Sequence, residues 1–333
     1  MICLCGALWT ALPEPAAGGE APPAAAALQS VPMPTLGGTQ FWADELFFHQ
    51  WRIQRNVVTG HCRLLDGHNF RHAAGTFDEC RLALDEIKRQ KRLPPMRGTG
   101  VILLHGLGDT RSSLALLGKY IERNSDFLVF NVTYPSTREG IEDHARSLTS
   151  IVENLDGIDE IHFVGHSLGN IVVRRYLADQ LGAADAASQP AGGRLDPRIR
   201  RMVMIGPPNH GSQIATTFGD NRLFQAISGE AGQQLGRQWV WLESSLATPP
   251  LEFGIIAGGL GNERGINPLL PGDNDGIVSV QSTRLAGAGD FVVVPLLHAL
   301  IPADTQVQEF TLRFLREGRF RADGPRQPVG ERD

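Results

Sequence analysis

The sequence predicts an α/β fold: a mostly parallel central sheet with helices on both faces, a small helical cap insertion and an N-terminal α+β extension. Three observations lead there. From Gly100 onward, short apolar runs alternate with amphipathic helical stretches. The runs are continuous rather than alternating in polarity, which marks strands buried on both faces, as in parallel sheets. One run, 161–164, passes directly into Gly165-His166-Ser167-Leu168-Gly169 and then into a helical stretch.

Residues 1–40 open the chain with an apolar, uncharged stretch (1–12) and continue as Ala/Pro/Gly-rich low complexity, which predicts disorder or a linker. The stretch lacks the basic start of a secretory signal, so it reads either as a signal remnant or as a tail without a role. An exported location, periplasmic or extracellular, is favoured over the cytoplasm. Residues 41–97 form the α+β extension. Strand character at 51–58 and 61–66, split by Thr59-Gly60, predicts a hairpin. Phe77, Cys80, Leu84 and Ile87 repeat at helical spacing over 76–91, and Pro94-Pro95 follows.

The catalytic unit is expected over 98–318. Its strands are predicted at 101–104, 127–132, 161–164, 201–205, 253–257 and 291–294, and its helices at 113–122, 141–155, 168–180 and 305–316. Residues 182–197 read as a loop. The rhythm breaks between 212 and 250, where two or three short helices fit a cap over the C-terminal edge of the sheet. Residues 319–333 read as a flexible tail.

Composition narrows the function classes. The chain has 333 residues, is 42% hydrophobic and carries a net charge of −5. That charge, with no basic run interleaved with aromatics, gives no reason to expect nucleic acid as a partner. No stretch approaches the roughly 20 apolar residues that span a bilayer. Cys62 and Cys80 fit a disulfide or two free thiols equally. With His61, His68 and His72 they match no compact zinc pattern, so no metal is expected.

The chemistry-bearing motif is Gly165-His166-Ser167-Leu168-Gly169. Between a strand and a helix, Gly-x-Ser-x-Gly holds a serine on a strained, exposed corner. A serine nucleophile needs a base, and the base needs a carboxylate to orient it. In a strand-turn-serine-helix hydrolase the chain order is serine, acid, histidine. Of the two histidines downstream, His298 follows the last strand and precedes the last helix, where the base belongs. Asp275, in Asn274-Asp275-Gly276-Ile277-Val278, is the candidate acid, with Asp273 a close competitor and Asp290 a distant one. The N–H groups of Leu168 and Leu107 are the candidate oxyanion donors. His105, His166 and His210 are candidates for the substrate pocket, although the tight loop around His210 also fits a structural role.

These pieces resemble α/β-hydrolase fold lipases and esterases, especially bacterial triacylglycerol lipases and related lipid deacylases. The resemblance rests on His105-Gly106-Leu107-Gly108, Gly165-His166-Ser167-Leu168-Gly169, Pro208-Asn209-His210-Gly211-Ser212, Asn274-Asp275-Gly276-Ile277-Val278 and His298, in that order. It implies the α/β-hydrolase fold, the triad Ser167/Asp275/His298 and the Leu107/Leu168 oxyanion pair. The expected activity is hydrolysis of a small-molecule or lipid ester without a cofactor, with transient contact to a lipid interface. An acyltransferase or thioesterase would use the same residues, and a non-catalytic binding protein could share the fold. Some relatives bind a structural calcium near the acid loop, but no second ligand can be placed here.

Overall fold

The computed structural model describes residues 38–182, 193–211, 222–236 and 238–331, with only the backbone over 222–228. Within them the chain builds two sheets. The first is an antiparallel meander in the order β1 (Trp42–Phe48), β2 (Trp51–Asn56), β3 (Cys62–Leu65) and β4 (Arg71–Gly75). Helix α1 (Phe77–Gln90) packs Cys80, Leu84 and Ile87 inward. Its start is a capping box: Thr76 Oγ1 accepts the Glu79 N–H, and Glu79 Oε2 accepts the Thr76 N–H at 2.7 Å.

The second sheet is the core. Strands β5 (Gly98–Leu104), β6 (Leu128–Asn131), β7 (Ile158–His166), β8 (Ile199–Ile205), β9 (Glu252–Gly258) and β10 (Asp290–Val294) stand in the order β10-β9-β8-β7-β5-β6. Every neighbouring pair is parallel. The apolar run in β5, β7, β8 and β9 is buried on both faces, as its lack of alternation predicts, while the edge strands β6 and β10 leave Leu128, Val129 and Val293 partly exposed. The core therefore has two layers. One holds α3 (Ile141–Glu153) and α4 (Leu168–Gln180) and continues into the N-terminal sheet. The other holds α2 (Ala115–Asn124) and the last helix, α8 (Thr305–Glu317). Asp304 caps α8 by accepting the Gln306 and Val307 N–H groups, and Gly318 ends it in the left-handed region.

Part of the expected cap, 212–221 and 237, lies outside the described residues, as do 1–37, the 183–192 part of the expected loop, and 332–333. The described cap has α5 (Arg222–Leu235) and α6 (Trp239–Glu243). A short helix, α7 (Val280–Thr283), precedes β10. Gly229 breaks the helical run with a φ of 62°, and a Cβ there would collide with the Thr137 carbonyl. Beyond the kink, Gln234 Oε1 accepts the Ile141 N–H at 2.8 Å and Gln234 Nε2 donates to Glu142 Oε2 at 2.9 Å. Helix α3 has glycine at its N-cap, so the cap supplies the missing acceptor.

Residues 319–331 correct the expectation of a flexible tail. Phe320 is fully buried against Phe314, and Val329 is buried too. Asp290 accepts the N–H groups of Phe320 and Gln327, each at 2.8 Å, which stitches the segment to β10. Burying a phenylalanine contributes about 1.5–3 kcal/mol, which adds to the Asp290 bonds in holding the segment at Phe320. Cys62 and Cys80 are buried free thiols, pushed up by burial to about 11 and about 12. Among the described residues no group of three or more His, Cys, Asp or Glu is placed to hold a metal. His72 bonds Asp66, and His61 bonds Thr59.

Asp44 on β1 joins the two sheets. Its N–H donates to the Thr133 carbonyl at 2.9 Å, and its carboxylate accepts the Thr133 N–H at 2.6 Å and Gln54 Nε2 at 2.7 Å. Arg52 Nε stands 3.5 Å away. Burial outweighs these donors and raises its pKa to about 6. Asp44→Asn would set an amide N–H against one of the two donors, and urea melts should report a loss of about 1–3 kcal/mol. The protonated carboxyl favours the fold, so this contribution is full below pH 4 in the wild type and lost as pH climbs through 6. The stability gap between wild type and variant should therefore narrow between about pH 4 and pH 7 and stay level above that. A widening gap would contradict the assignment.

Candidate active site

Strand β7 ends at His166 and α4 starts at Leu168, so Ser167 alone makes the turn. It does so at φ 52°, ψ −120°, a conformation that non-glycine residues rarely adopt. The flanking glycines make this corner buildable. A Cβ on Gly165 would stand 2.7 Å from the Asn170 nitrogen, and one on Gly169 would stand 2.8 Å from the Leu104 carbonyl carbon. The Ser167 N–H donates to the Ile205 carbonyl at 2.9 Å. Asn170 Nδ2 bonds the carbonyls of Ser167 and Ile205 at 3.1 and 3.2 Å, pinning the corner to β8.

His298 and Asp275 arrive from the ends of neighbouring strands. The His298 N–H donates to the Asp275 carbonyl at 3.0 Å. Between the side chains, His298 Nδ1 and Asp275 Oδ2 are 2.6 Å apart, with both residues buried. A carboxylate only accepts, so Nδ1 carries the proton and Nε2 keeps a lone pair. Asp275 Oδ1 accepts the Ile277 and Val278 N–H groups at 3.0 and 2.8 Å, which fixes the carboxylate. The competing acids are engaged elsewhere. Asp273 binds the Leu260 and Gly261 N–H groups, and Asp290 binds the C-terminal segment.

The serine and the histidine lie at one edge of the sheet. The His298 ring packs on that of His166, the residue before Ser167, with centroids 4.8 Å apart. Gly206, the residue after the Ile205 that binds Ser167, faces the same imidazole: a Cβ on it would stand 3.0 Å from His298 Cε1. The 105–109 loop lies over Ser167, since a Cβ on Gly106 would come within 3.3 Å of Ser167 Cβ. Leu107 is half-buried on this loop, and Leu168 is buried at the first turn of α4, where backbone N–H groups lack helical acceptors.

His105 and His166 are both buried beside this edge. Burial lowers His105 to about 4 and His166 well below the usual imidazole range, so both are neutral at ordinary pH. His210 is exposed and pairs with Glu243 at 3.2 Å, on the cap side. Its neighbour Asn209 is buried, accepts Arg174 Nη1 at 3.1 Å through Oδ1 and donates to the Thr283 carbonyl at 2.8 Å.

A model of the alpha/beta hydrolase family matches residues 101–322. The chain belongs to the alpha/beta hydrolase family. No curated protein matches this alpha/beta hydrolase by sequence. Among solved structures, it is similar to the mature Bacillus licheniformis lipase BlEst2 at 18% identity and a TM-score of 0.45, over 61% of this chain and 86% of that one. The metagenomic carboxyl esterase MGS0156 matches at 20% identity and 0.45, over 61% and 65%. The Legionella pneumophila phospholipase PlaB matches at 19% and 0.42, over 56% of this chain and 44% of that longer one.

Three residues of this alpha/beta hydrolase that the sequence reading passed over support the edge. Asn170 locks the corner, and only its position one residue past the motif could have drawn notice. Tyr134 stacks on His105 at 4.2 Å and its hydroxyl donates to the His105 carbonyl, bracing the loop over Ser167. Arg174, buried on α4, ties Asn209 to the Ala247 carbonyl.

Gly206 carries a sharp test. Its φ is +52° and its missing Cβ makes room for His298. Gly206→Ala should cost about 1–3 kcal/mol of stability and push the imidazole off Asp275. The downfield Nδ1–H proton resonance expected of wild type should then vanish. Its persistence unchanged would show that the ring is held otherwise.

Proposed function

We propose that this chain is a serine hydrolase that cleaves carboxylic esters, of lipase or esterase type, with Ser167 as nucleophile, His298 as base and Asp275 as orienting acid. The observation that carries the reading is the 2.6 Å contact between buried His298 and Asp275, at the same sheet edge as a serine on a left-handed corner. A carboxylate on Nδ1 leaves Nε2 free to take a proton. The neutral, buried His105 and His166 leave His298 as the histidine suited to shuttling it.

In this reading His298 takes the Ser167 proton as Oγ attacks the ester carbonyl. The oxyanion is met by the N–H groups of Leu107 and Leu168, each worth about 3 kcal/mol of transition-state stabilisation. The Ser167–acyl bond forms, the ester C–O bond breaks, and the proton held by His298 goes to the leaving alcohol. Water then repeats the sequence on the acyl-enzyme. Asp275 stabilises the imidazolium without taking its proton. No residue here requires a cofactor. The catalytic unit is the 98–318 region, with the cap above it.

The surroundings support an apolar substrate. Leu297 and Leu300 flank His298, Ile277 follows Asp275, and Leu260 and Leu269 lie on the preceding loop, all exposed. They suit a lipid ester or brief contact with a lipid interface. Among the described residues no helix is long and apolar enough to cross a membrane.

A chain-length series of p-nitrophenyl esters tests the reading. Ser167→Ala should lose about 10³-fold or more in kcat, and a fluorophosphonate should label wild type at Ser167. Undiminished turnover in the variant rules the mechanism out. Leu107→Ala should change kcat by less than about threefold, because the donor is backbone. Leu107→Pro removes the donor and should cost about 10²-fold or more. Added alcohols separate the transferase alternative: acyl transfer to them, outpacing hydrolysis, would favour it.

A further inference from the structure

Asp109 is a carboxylate in the mouth of the site that the proposed mechanism does not use. It lies two residues past Leu107, on the loop over Ser167. The position a Cβ on Gly106 would take lies 3.3 Å from Ser167 Cβ, 3.5 Å from Asp109 Oδ2 and 3.5 Å from His166 Nδ1. Ser167, the Asp109 carboxylate and the His166 ring therefore border the same face of Gly106. Asp109 is half-exposed, and among the described residues no lysine or arginine pairs with its carboxylate.

The second observation is His166. Its Nε2–H donates to the His298 carbonyl at 3.1 Å, so the neutral ring presents Nδ1 as a bare acceptor. Nδ1 is buried and bonds nothing, with Asp109 Oδ2 4.0 Å away. Two acceptors, one of them ionisable, thus lie side by side near the nucleophile, and of the two Asp109 is the one exposed. An anion placed there meets only repulsion. A hydrogen-bond donor or a cation meets the Asp109 carboxylate.

We infer that Asp109 makes this site select esters whose acyl chain near the scissile carbonyl is neutral or positively charged, and reject those with a carboxylate there. The inference rests on the ester-hydrolase reading given above. It also assigns a consequence to the product: the acid released on deacylation is an anion, and the same charge drives it out.

The test uses three p-nitrophenyl esters with one leaving group: the butyrate, the hemisuccinate and the 4-aminobutyrate. Asp109→Asn keeps an acceptor for Ser113 and removes only the charge. The ratio of kcat/KM for hemisuccinate over butyrate should rise about tenfold in this variant, as expected for losing one charge at short range. The 4-aminobutyrate ratio should fall. A purely structural Asp109 would lower all three together and leave both ratios fixed, which overturns the inference. Should the variant fail to fold, the wild-type ratio itself decides. Raising salt from about 0.01 to 0.5 M should raise the hemisuccinate ratio by screening, and a flat ratio overturns the inference. Fluorophosphonate labelling separates the two readings. Wild type that never labels at Ser167 defeats the hydrolase reading and this one with it, whereas labelling with unchanged ratios defeats this one alone.

Discussion

The candidate site depends on one strained residue. Ser167 sits at φ 52°, and a non-glycine residue held there costs on the order of 1–3 kcal/mol. The fold meets that cost by over-determining the corner. Its N–H is bound by β8, Asn170 bonds the carbonyls on both sides, and two glycines let the helix and β5 close in. The Ser167 side chain is left partly exposed at this corner. Everything else at this edge, the paired His298 and Asp275 and the bracing loop, is arranged around a position that the backbone cannot relax away from.

Burial does the electrostatic sorting. Several imidazoles lie near this edge, yet their environments separate them. His105, stacked on Tyr134, is held neutral by desolvation, and so is His144, which burial lowers to about 3. Only His298 has a carboxylate within hydrogen-bond distance of Nδ1 among the buried ones. The same desolvation that silences the others makes the Asp275 contact count, because a fixed charge acts over longer range where water is excluded.

Much of the architecture was readable because it is written locally. The runs at 101–104, 161–164 and 201–205 are apolar but for His162 and Arg201, and each is found in a parallel strand. The Ser167 corner is a five-residue motif, and the positions of His298 and Asp275 follow from chain order. What escaped notice depends on distant partners. Strand β1 reads Trp-Ala-Asp-Glu-Leu-Phe-Phe, and its two acids disguise a fully buried strand. Asp44 is tolerable there because Thr133, 89 residues away, and Gln54 on β2 supply donors. Strand β4, Arg-His-Ala-Ala-Gly, has no β-branched residue and exists through pairing with β3. The polar C-terminal segment looks unstructured until Asp290 and the pocket for Phe320 are in view. Asp109 and Tyr134 likewise carry no local signal, since their meaning lies in what stands across the loop.

Gln234 ties the cap to the body of the molecule in a way that shapes any movement over the edge. Its amide finishes the first turn of α3, so swinging it away would strip a buried backbone group of its only acceptor there. The kink at Gly229, pressed against Thr137, divides the anchored turn from what precedes it. The later turn is thereby held to α3 from both sides and behaves as a fixed jamb, so that loosening it would also unsettle the start of that helix.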